Sequence, residues 1–212
     1  MAGDGLREIV AAVGRGVFPA ADGATVVVPQ DGPRDAGVLA FTAHSVVFTD
    51  EDPAWVYATL AATPADPLAA ALHPYFLGAL LARTGRLTGT IDVLCVAGPL
   101  PGAAGAGLRE TRDPGHPRVT EALRRRDGVR VWTVDGGVLV LGRGVGGRLE
   151  VAVEVAEGAP RGLGRRLVTA ARGLSGGEPV WAQISPGNAR SLRAFLAAGY
   201  RPVGSEALFT TG

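Results

Sequence analysis

The stretch APRGLGRRL, residues 159–167, follows closely after the strand-like run LEVAVEV (149–155) and brings two glycines and three arginines into nine positions. A strand that leads through a glycine-rich turn into a helix leaves unpaired N–H groups at the positive end of the helix dipole. A glycine has no side chain that would keep an anion away from the backbone N–H groups, and an arginine can neutralise the charge of the anion. The stretch therefore predicts a phosphate site. The candidate residues are Arg161, Gly162, Leu163, Gly164, Arg165 and Arg166. The alternative is that the glycines only form a tight connection between the strand and the helix and that the arginines lie on a solvated face.

The elements around this stretch predict a mixed α/β domain. Alternating runs at 108–112, 129–134, 138–143 and 148–155 predict strands, the last three forming an antiparallel meander with a tight hairpin at Asp135, Gly136 and Gly137. A helix is predicted over 116–128, ended by Gly128. A helix (163–174), a strand (178–185), a helix (186–199) and two short strands (200–204 and 206–211) follow.

The first half of the chain predicts a smaller α/β domain over residues 1–100. Apolar periodicity indicates helices at 6–16, 52–62 and 74–85 and strands at 24–30, 37–44, 45–50 and 89–98. Asp52 and Pro53 are typical of a helix start, and Gly85 of a helix end. The run GPLPGAAGAG (98–107) predicts a linker and separates this domain from a second one at 101–212.

Composition narrows the function classes. Hydrophobic residues make up 47% of the chain and its formal net charge is +1, which is typical of a globular protein. No signal peptide or bilayer-spanning run is evident, and Cys95 has no partner cysteine, which predicts a cytoplasmic protein with no membrane or metal site. Residues 1–100 carry 5 Arg against 10 acidic residues, whereas residues 101–212 carry 16 Arg against 10. The basic second half suits an anionic ligand.

Two signatures resemble those of the GNAT superfamily of acyl-CoA-dependent N-acyltransferases, and the resemblance covers about residues 107–210. In that family the loop after the fourth strand has the form Arg/Gln-x-x-Gly-x-Gly/Ala and wraps the pyrophosphate of coenzyme A. Gly162 and Gly164 match its glycines, whereas Ala159 stands at the Arg/Gln position. The loop is also one residue short, and Arg161 is the candidate to supply the lost charge.

The second signature is an Asn at a helix start, followed by a small residue at +3, Tyr at +7, Gly at +11 and an aromatic residue at +12. Asn188, Ser191, Gly199 and Tyr200 match, while Phe195 replaces the tyrosine. In the family that tyrosine is often the acid that protonates the leaving thiolate. Here Tyr200 or another hydroxyl takes that role, or the thiolate leaves unaided, or the protein binds acyl-CoA without transferring its acyl group.

Acyl transfer to an amine requires a base for the amine proton and donors for the carbonyl oxygen. Glu150 and Glu154 lie on one face of the predicted strand by two-residue alternation, and either is a candidate base acting through water. The alternative is that both carboxylates pair with arginines on a solvated sheet face. The resemblance further implies that backbone N–H groups near Val155 polarise the carbonyl.

The sequence is therefore expected to form an α/β (α+β) protein with a GNAT-like mixed sheet flanked by helices after a smaller α/β domain. The expected activity is transfer of an acetyl group from acetyl-CoA to a primary amine of a small molecule or peptide. An acidic first half favours a cationic amine, and the first domain is expected to cover the acceptor or to form a homodimer contact. The candidate catalytic residues are Glu150, Glu154 and Tyr200, and the candidate coenzyme-binding residues are Val155, Arg161, Gly162, Leu163, Gly164, Arg165, Arg166, Asn188 and Ser191.

Two other classes of function stay open. Phe195 and Ala159 are compatible with a non-catalytic acyl-CoA-binding or regulatory module. The short loop is compatible with a structural or partner-binding protein that has kept the fold and lost the cofactor. A nucleic-acid-binding role is disfavoured because the basic half lacks interleaved aromatic residues. A Rossmann fold is disfavoured because three antiparallel strands precede the glycines.

Overall fold

The computed structural model describes residues 5–102, 105, 107–111 and 117–211. The architecture is mixed α/β, with a mixed sheet flanked by helices, as the sequence predicts. Two compact units are present: Met1–Leu94 together with Val203–Gly212, and Cys95–Pro202. Residues 203–212 thus belong with the first half of the chain. The prediction of a single boundary near residue 100 had placed them in the second domain.

The strands and helices follow one another along the whole chain. In chain order they are α1 (Leu6–Gly14), β1 (Thr25–Val28), β2 (Asp35–Phe41), β3 (His44–Phe48), α2 (Pro53–Ala61), α3 (Pro67–Ala70), α4 (Pro74–Thr84), β4 (Leu87–Ala97), β5 (Arg109–Thr111), α5 (Pro117–Arg125), β6 (Asp127–Val134), β7 (Gly137–Arg143), β8 (Leu149–Val155), α6 (Leu163–Gly173), β9 (Val180–Ile184), α7 (Ala189–Ala197) and β10 (Arg201–Thr210).

Strands of the first unit lie in the order β1-β3-β2-β10-β4. β1 is parallel to β3, whereas β2 is antiparallel to both β3 and β10. The predicted helix ends are confirmed: Asp52 accepts the N–H of Ala54 at 2.9 Å to cap α2, and Gly85 ends α4 at a left-handed φ of 64°. Side chains of α2, α3 and α4 bury the core of this unit against β2, β3 and β10, with Phe76, Leu80 and Phe209 fully enclosed.

Strands of the second unit lie in the order β9-β8-β7-β6-β5, with β8 and β9 parallel and the other neighbours antiparallel. Val119 and Ala122 of α5 pack on one face of the sheet, against Val138 and Val140 among others. On the other face, Leu163 and Leu167 of α6 lie against Gly137. The predicted meander and the helix after the glycines are both present.

Two predictions of secondary structure are wrong in detail. Gly128 does not end the helix before it; it lies inside β6 at a φ of 57°, where the register with β7 shifts. The two short strands predicted at the end of the chain are a single strand, β10, that continues through Gly204. Residue 112 of the first predicted strand and the start of the helix predicted from 116 lie outside the described residues.

None of the described helices is long and apolar enough to cross a membrane. Within the described ranges, no group of three or more His, Cys, Asp or Glu side chains is placed to hold a metal ion.

Candidate functional site

The glycine loop, residues 159–164, carries the chain from β8 into α6. Ala156 donates its N–H to the carbonyl of Gly136 at 2.9 Å, so the hairpin turn between β6 and β7 supports the start of the connection. Gly162 then takes the N-cap position of α6 at a φ of 84°, a left-handed conformation that glycine adopts without a steric penalty. The glycine is therefore required here by backbone geometry as well as by any ligand.

The first turn of α6 is open to an anion. No side chain caps the helix, and Leu163 donates its N–H to the carbonyl of Pro160 at 3.2 Å. The next N–H groups, those of Gly164 and Arg165, precede the first intrahelical hydrogen bonds and have no acceptor within the helix. A Cβ on Gly162 would meet nothing within 4 Å, so the space beside these groups is clear.

A groove of about 590 Å³ lies in front of this helix end, in the second unit. We call it the α6–α7 groove. Its lining residues are Val153, Glu154, Val155, Pro160, Gly162, Leu163, Gly164, Arg165, Asn188, Arg190, Ser191, Arg193, Ala194 and Phe195. The end of β8, the glycine loop and the first turns of α7 thus form one concave surface. The volume is within the range typical of small-molecule sites.

Most of the predicted coenzyme-binding residues meet in this groove. Val155, Gly162, Leu163, Gly164, Arg165, Asn188 and Ser191 all line it. Arg166 instead lines a neighbouring cavity of about 570 Å³, which shares Gly162, Leu163 and Arg165 and continues along α6 to Ala170. Arg161 lines neither cavity and is exposed in the glycine loop.

Two groove arginines were missed by the sequence analysis. Arg190 and Arg193 lie three residues apart on α7, so both point to one side of the helix and reach the groove together with Arg165. Their spacing after the predicted helix start at Asn188 is the signal that could have identified them. Three guanidinium groups give the groove a positive lining that suits a phosphorylated ligand.

Asn188 fixes the start of α7 at the groove. Its side-chain oxygen accepts the N–H of Ser191 at 3.0 Å, so it is the N-cap of the helix, as predicted. A capped first turn holds the backbone of residues 189–191 in place. The positions of Ser191 and of the groove arginines Arg190 and Arg193 depend on this contact.

The end of β8 exposes both faces of the strand to the groove. Glu154 pairs with Val138, and Val138 belongs to the core cluster that packs on α5. Val153 and Val155 therefore face the opposite side, where α6 lies, because side chains alternate along a strand. β8 pairs with β9 through Leu149 with Val180 and Glu150 with Trp181, at the start of both strands. Glu154 is exposed and lines the groove beyond this paired segment.

Glu150 has a different environment from Glu154. It is fully buried and accepts hydrogen bonds from Arg148 and Arg126, each at 2.8 Å, and from Gln183 at 3.1 Å. Burial disfavours its charge, but the two guanidinium groups outweigh burial and lower the pKa of Glu150. A buried carboxylate paired in this way is a poor proton acceptor, so the geometry does not favour Glu150 as the base. The alternative of arginine pairing describes Glu150, although in a buried setting.

Tyr200 lies away from the groove. Its side chain is buried, and its hydroxyl donates to the carbonyl of Val168 at 3.2 Å. Burial raises the pKa of the Tyr200 phenol far above its usual range, although Arg172 acts in the opposite direction. Phe195, which lines the groove, packs edge-on against the Tyr200 ring with the centroids 4.9 Å apart. The contacts make Tyr200 a support for Phe195, and they do not favour its predicted role as the acid.

The chain is similar to three solved structures. A GCN5-related N-acetyltransferase from Kribbella flavida has 18% sequence identity and a TM-score of 0.38, over 64% of this chain and 63% of that one. A GCN5-related N-acetyltransferase from Sphaerobacter thermophilus has 15% identity and a TM-score of 0.37, over 63% and 55%. A protein described as an acetyltransferase of the GNAT family, from Novosphingobium aromaticivorans, has 20% identity and a TM-score of 0.41, over 60% and 68%.

The chain covers less than two thirds of the length of the first two of these proteins. No protein-family profile matches the chain, and no curated protein matches it in sequence.

Proposed function

We propose that the second unit is an N-acetyltransferase that uses acetyl-CoA and acetylates a primary amine. The observation that carries the proposal is the α6–α7 groove, where an uncapped helix start, a glycine with open space beside it and three arginines converge. Backbone donors at a helix N-terminus and guanidinium groups are together the usual means of binding a pyrophosphate.

These residues fit the donor molecule. The N–H groups of Gly164 and Arg165, with the side chains of Arg165, Arg190 and Arg193, would hold its phosphates. Ala159 cannot make the polar contact of the Arg or Gln that is usual at this position in the family. A Cβ on Gly136 would come within 3.0 Å of the Ala159 Cβ, so Ala159 packs against the hairpin turn. When bound, acetyl-CoA supplies a thioester as the acyl donor.

The protein's own part in the transfer is to hold the amine and to remove its proton. A new C–N bond forms as the thioester C–S bond breaks, and the amine proton has to leave. Glu154 is exposed at the end of β8 and lines the groove, so it is the residue we assign as the base, acting through water. The coenzyme A thiolate would leave without a tyrosine acid, because a thiol with a pKa of about 8–9 is a tolerable leaving group near neutral pH.

The first experiment is thermal unfolding of the full chain with acetyl-CoA, coenzyme A or pyrophosphate. A ligand at about 100 times its Kd adds about 2.7 kcal/mol to stability, which raises Tm by a few degrees at this size. We expect acetyl-CoA to raise Tm and pyrophosphate to do so less. No shift with acetyl-CoA or coenzyme A would contradict the proposal.

A matched pair of variants assigns that shift to the groove. Gly162→Glu and Gly158→Glu each place a carboxylate at an exposed glycine with positive φ (84° and 79°) and nothing within 4 Å. Only Gly162 lines the groove. Gly162→Glu is expected to abolish the acetyl-CoA shift, whereas Gly158→Glu keeps it. An equal acetyl-CoA shift in the two variants would show that the glycine loop is not part of the site.

Turnover is tested by thiol release from acetyl-CoA with a panel of neutral and cationic amines. Glu154→Gln is expected to lower kcat/KM by about 10²–10⁴-fold, the usual contribution of a general base, with little change in acetyl-CoA affinity. The acidic composition of the first half leads us to expect higher rates with cationic amines. Rates that do not depend on amine charge would remove that preference.

A non-catalytic acyl-CoA-binding module is the second candidate function. The observation that favours it is the phenyl ring of Phe195 at the groove, with the nearby Tyr200 hydroxyl already bonded to Val168. This function predicts a full acetyl-CoA shift in Tm but no thiol release with any amine. The two measurements together therefore separate the candidates.

A further inference from the structure

The first unit contains a cavity of its own, which is lined by none of the residues of the α6–α7 groove. It has a volume of about 490 Å³, and we call it the α1 pocket. Its lining residues are Ile9, Ala12, Val17, Phe18, Pro19, Ala20, Val26, Val27, Val28, His44 and Tyr57. All but His44 and Tyr57 are apolar.

Large exposed side chains, two of them apolar and the third a tyrosine, cluster at this pocket. Val17 is 62% exposed, Phe18 48% and Tyr57 47%, and all three line it. Single exposed apolar residues are ordinary on protein surfaces, but a group of them around one cavity is typical of a binding site. The segment after α1 therefore lines one side of the pocket with large side chains that are not buried in the core.

One polar group inside the pocket is held in a defined orientation. Nδ1 of His44 lies 2.9 Å from Oδ1 of Asp22, and the side chains are 10% and 49% exposed. The same carboxylate accepts the N–H of Ala24 at 2.9 Å, so it is itself fixed by the backbone. Ala43, directly before His44, has a φ of 48°, which is uncommon for a residue other than glycine and ties the histidine to a tight β2–β3 turn.

The pair determines what His44 offers to a ligand. A carboxylate can only accept, so a neutral imidazole in this pair carries its proton on Nδ1. Nε2 is then a hydrogen-bond acceptor, and it has no other polar contact among the described residues. An apolar cavity with one oriented acceptor matches the usual composition of a small-molecule site.

We propose that the α1 pocket binds a small, uncharged aromatic or aliphatic molecule that carries one hydroxyl or N–H donor, with Nε2 of His44 as its acceptor. The site is independent of the acetyltransferase proposed above, since all its residues belong to the first unit. It makes the first half of the chain a ligand-binding unit in its own right.

The test compares two probes on the full chain, 2-naphthol and 2-fluoronaphthalene, which have nearly the same shape but of which only the first has a donor. Their Kd values are measured by equilibrium dialysis without acetyl-CoA. A net hydrogen bond corresponds to a factor of about two to ten in affinity. In His44→Phe, the Kd of 2-naphthol divided by that of 2-fluoronaphthalene is expected to rise by that factor. Absence of saturable binding by either probe, or an unchanged ratio, would overturn the proposal.

A second pair of variants tests the cavity without disturbing His44. Ala12→Phe introduces a ring into the pocket, whereas Ala11→Phe introduces the same ring at an exposed neighbour on α1 that does not line it. We expect Ala12→Phe to abolish binding of both probes and Ala11→Phe to bind them as the unmodified chain does. Binding that survives Ala12→Phe would place the probes elsewhere and reject the site.

Discussion

Arg148 donates from Nε to Oε1 of Glu150 at 2.8 Å, and both side chains are buried. Arg126, just after α5, binds the other carboxylate oxygen at 2.8 Å, and Gln183 of β9 donates to Oε1. A Cβ on Gly144 would lie 2.3 Å from Oε1, so a glycine is needed there to leave room for the carboxylate. Glu150 therefore connects β8 with β9 and with the end of α5.

Removal of this carboxylate is expected to be costly. Glu150→Ala leaves two buried guanidinium groups without their shared partner, and loss of one member of a buried ion pair costs about 3–5 kcal/mol. Urea unfolding measures the change in free energy of unfolding. Glu157→Ala, shortly after β8, is the control, because that side chain is exposed and its loss is expected to cost about 0.5 kcal/mol or less. Similar losses in the two variants would contradict the structural role.

The lowered pKa of Glu150 predicts how stability depends on pH. Its carboxyl has an ordinary pKa near 4.5, which the arginines lower in the folded state. Between the two values the unfolded state binds more protons, so this contribution is complete above the ordinary pKa and is lost as pH falls through the folded one. The unfolding free energy should fall more steeply below about pH 4.5 in the unmodified chain than in Glu150→Gln. Parallel curves would contradict this assignment.

Tyr200→Phe separates the packing role of the residue from a catalytic one. Loss of the bond to the Val168 carbonyl is expected to cost about 1 kcal/mol in the free energy of unfolding. The pH profile of acetyl transfer should not change, because the hydroxyl does not reach the groove. A loss of the alkaline limb of that profile would instead restore Tyr200 as the acid.

Asn188→Ala removes the N-cap of α7. The expected cost is about 1 kcal/mol in stability, because the N–H of Ser191 loses its acceptor. Since Asn188, Arg190, Ser191 and Arg193 line the groove, we also expect KM for acetyl-CoA to rise. Asn188→Ser keeps a capping oxygen and should restore most of the stability. Full affinity for acetyl-CoA in Asn188→Ala would show that the capped turn does not position the site.

Cys95 is expected to be unreactive in the folded protein. Its side chain is buried, and burial raises the pKa of the thiol to about 11, so little thiolate forms at pH 8. A disulfide reagent such as DTNB should label the chain only after denaturation, with one thiol per molecule. Rapid labelling in buffer would show that the interior around Cys95 opens.

The glycine loop was predictable because its chemistry is local. Gly162, Gly164 and the helix after them are neighbours in sequence, and the backbone conformation at Gly162 demands a glycine wherever the loop lies. The cap at Asn188 and the hairpin at Gly136 are local in the same way. Much of the groove was found from the sequence for this reason.

Apart from Arg190 and Arg193, the features that were missed depend on residues far apart in sequence. The roles of Glu150 and Glu154 differ because Arg126 lies beside one carboxylate, 24 positions earlier in the chain, and alternation along the strand cannot distinguish them. The break predicted between the strands 200–204 and 206–211 is absent, and a Cβ on Gly204 would lie 2.2 Å from the carbonyl oxygen of Ala40. It is a point of close approach between β10 and β2, and nothing near it in sequence reveals β2.

The pairing of β10 with β2 determines when the first unit can be completed during synthesis. Ser205–Thr210 aligns with Asp35–Ala40, so the sheet of this unit is completed only by residues that lie much later in the chain than β2. Until β10 is made, β2 presents an unpaired edge to solvent and to neighbouring chains. A nascent chain that has made β2 but not β10 is thus exposed to misassembly along this edge.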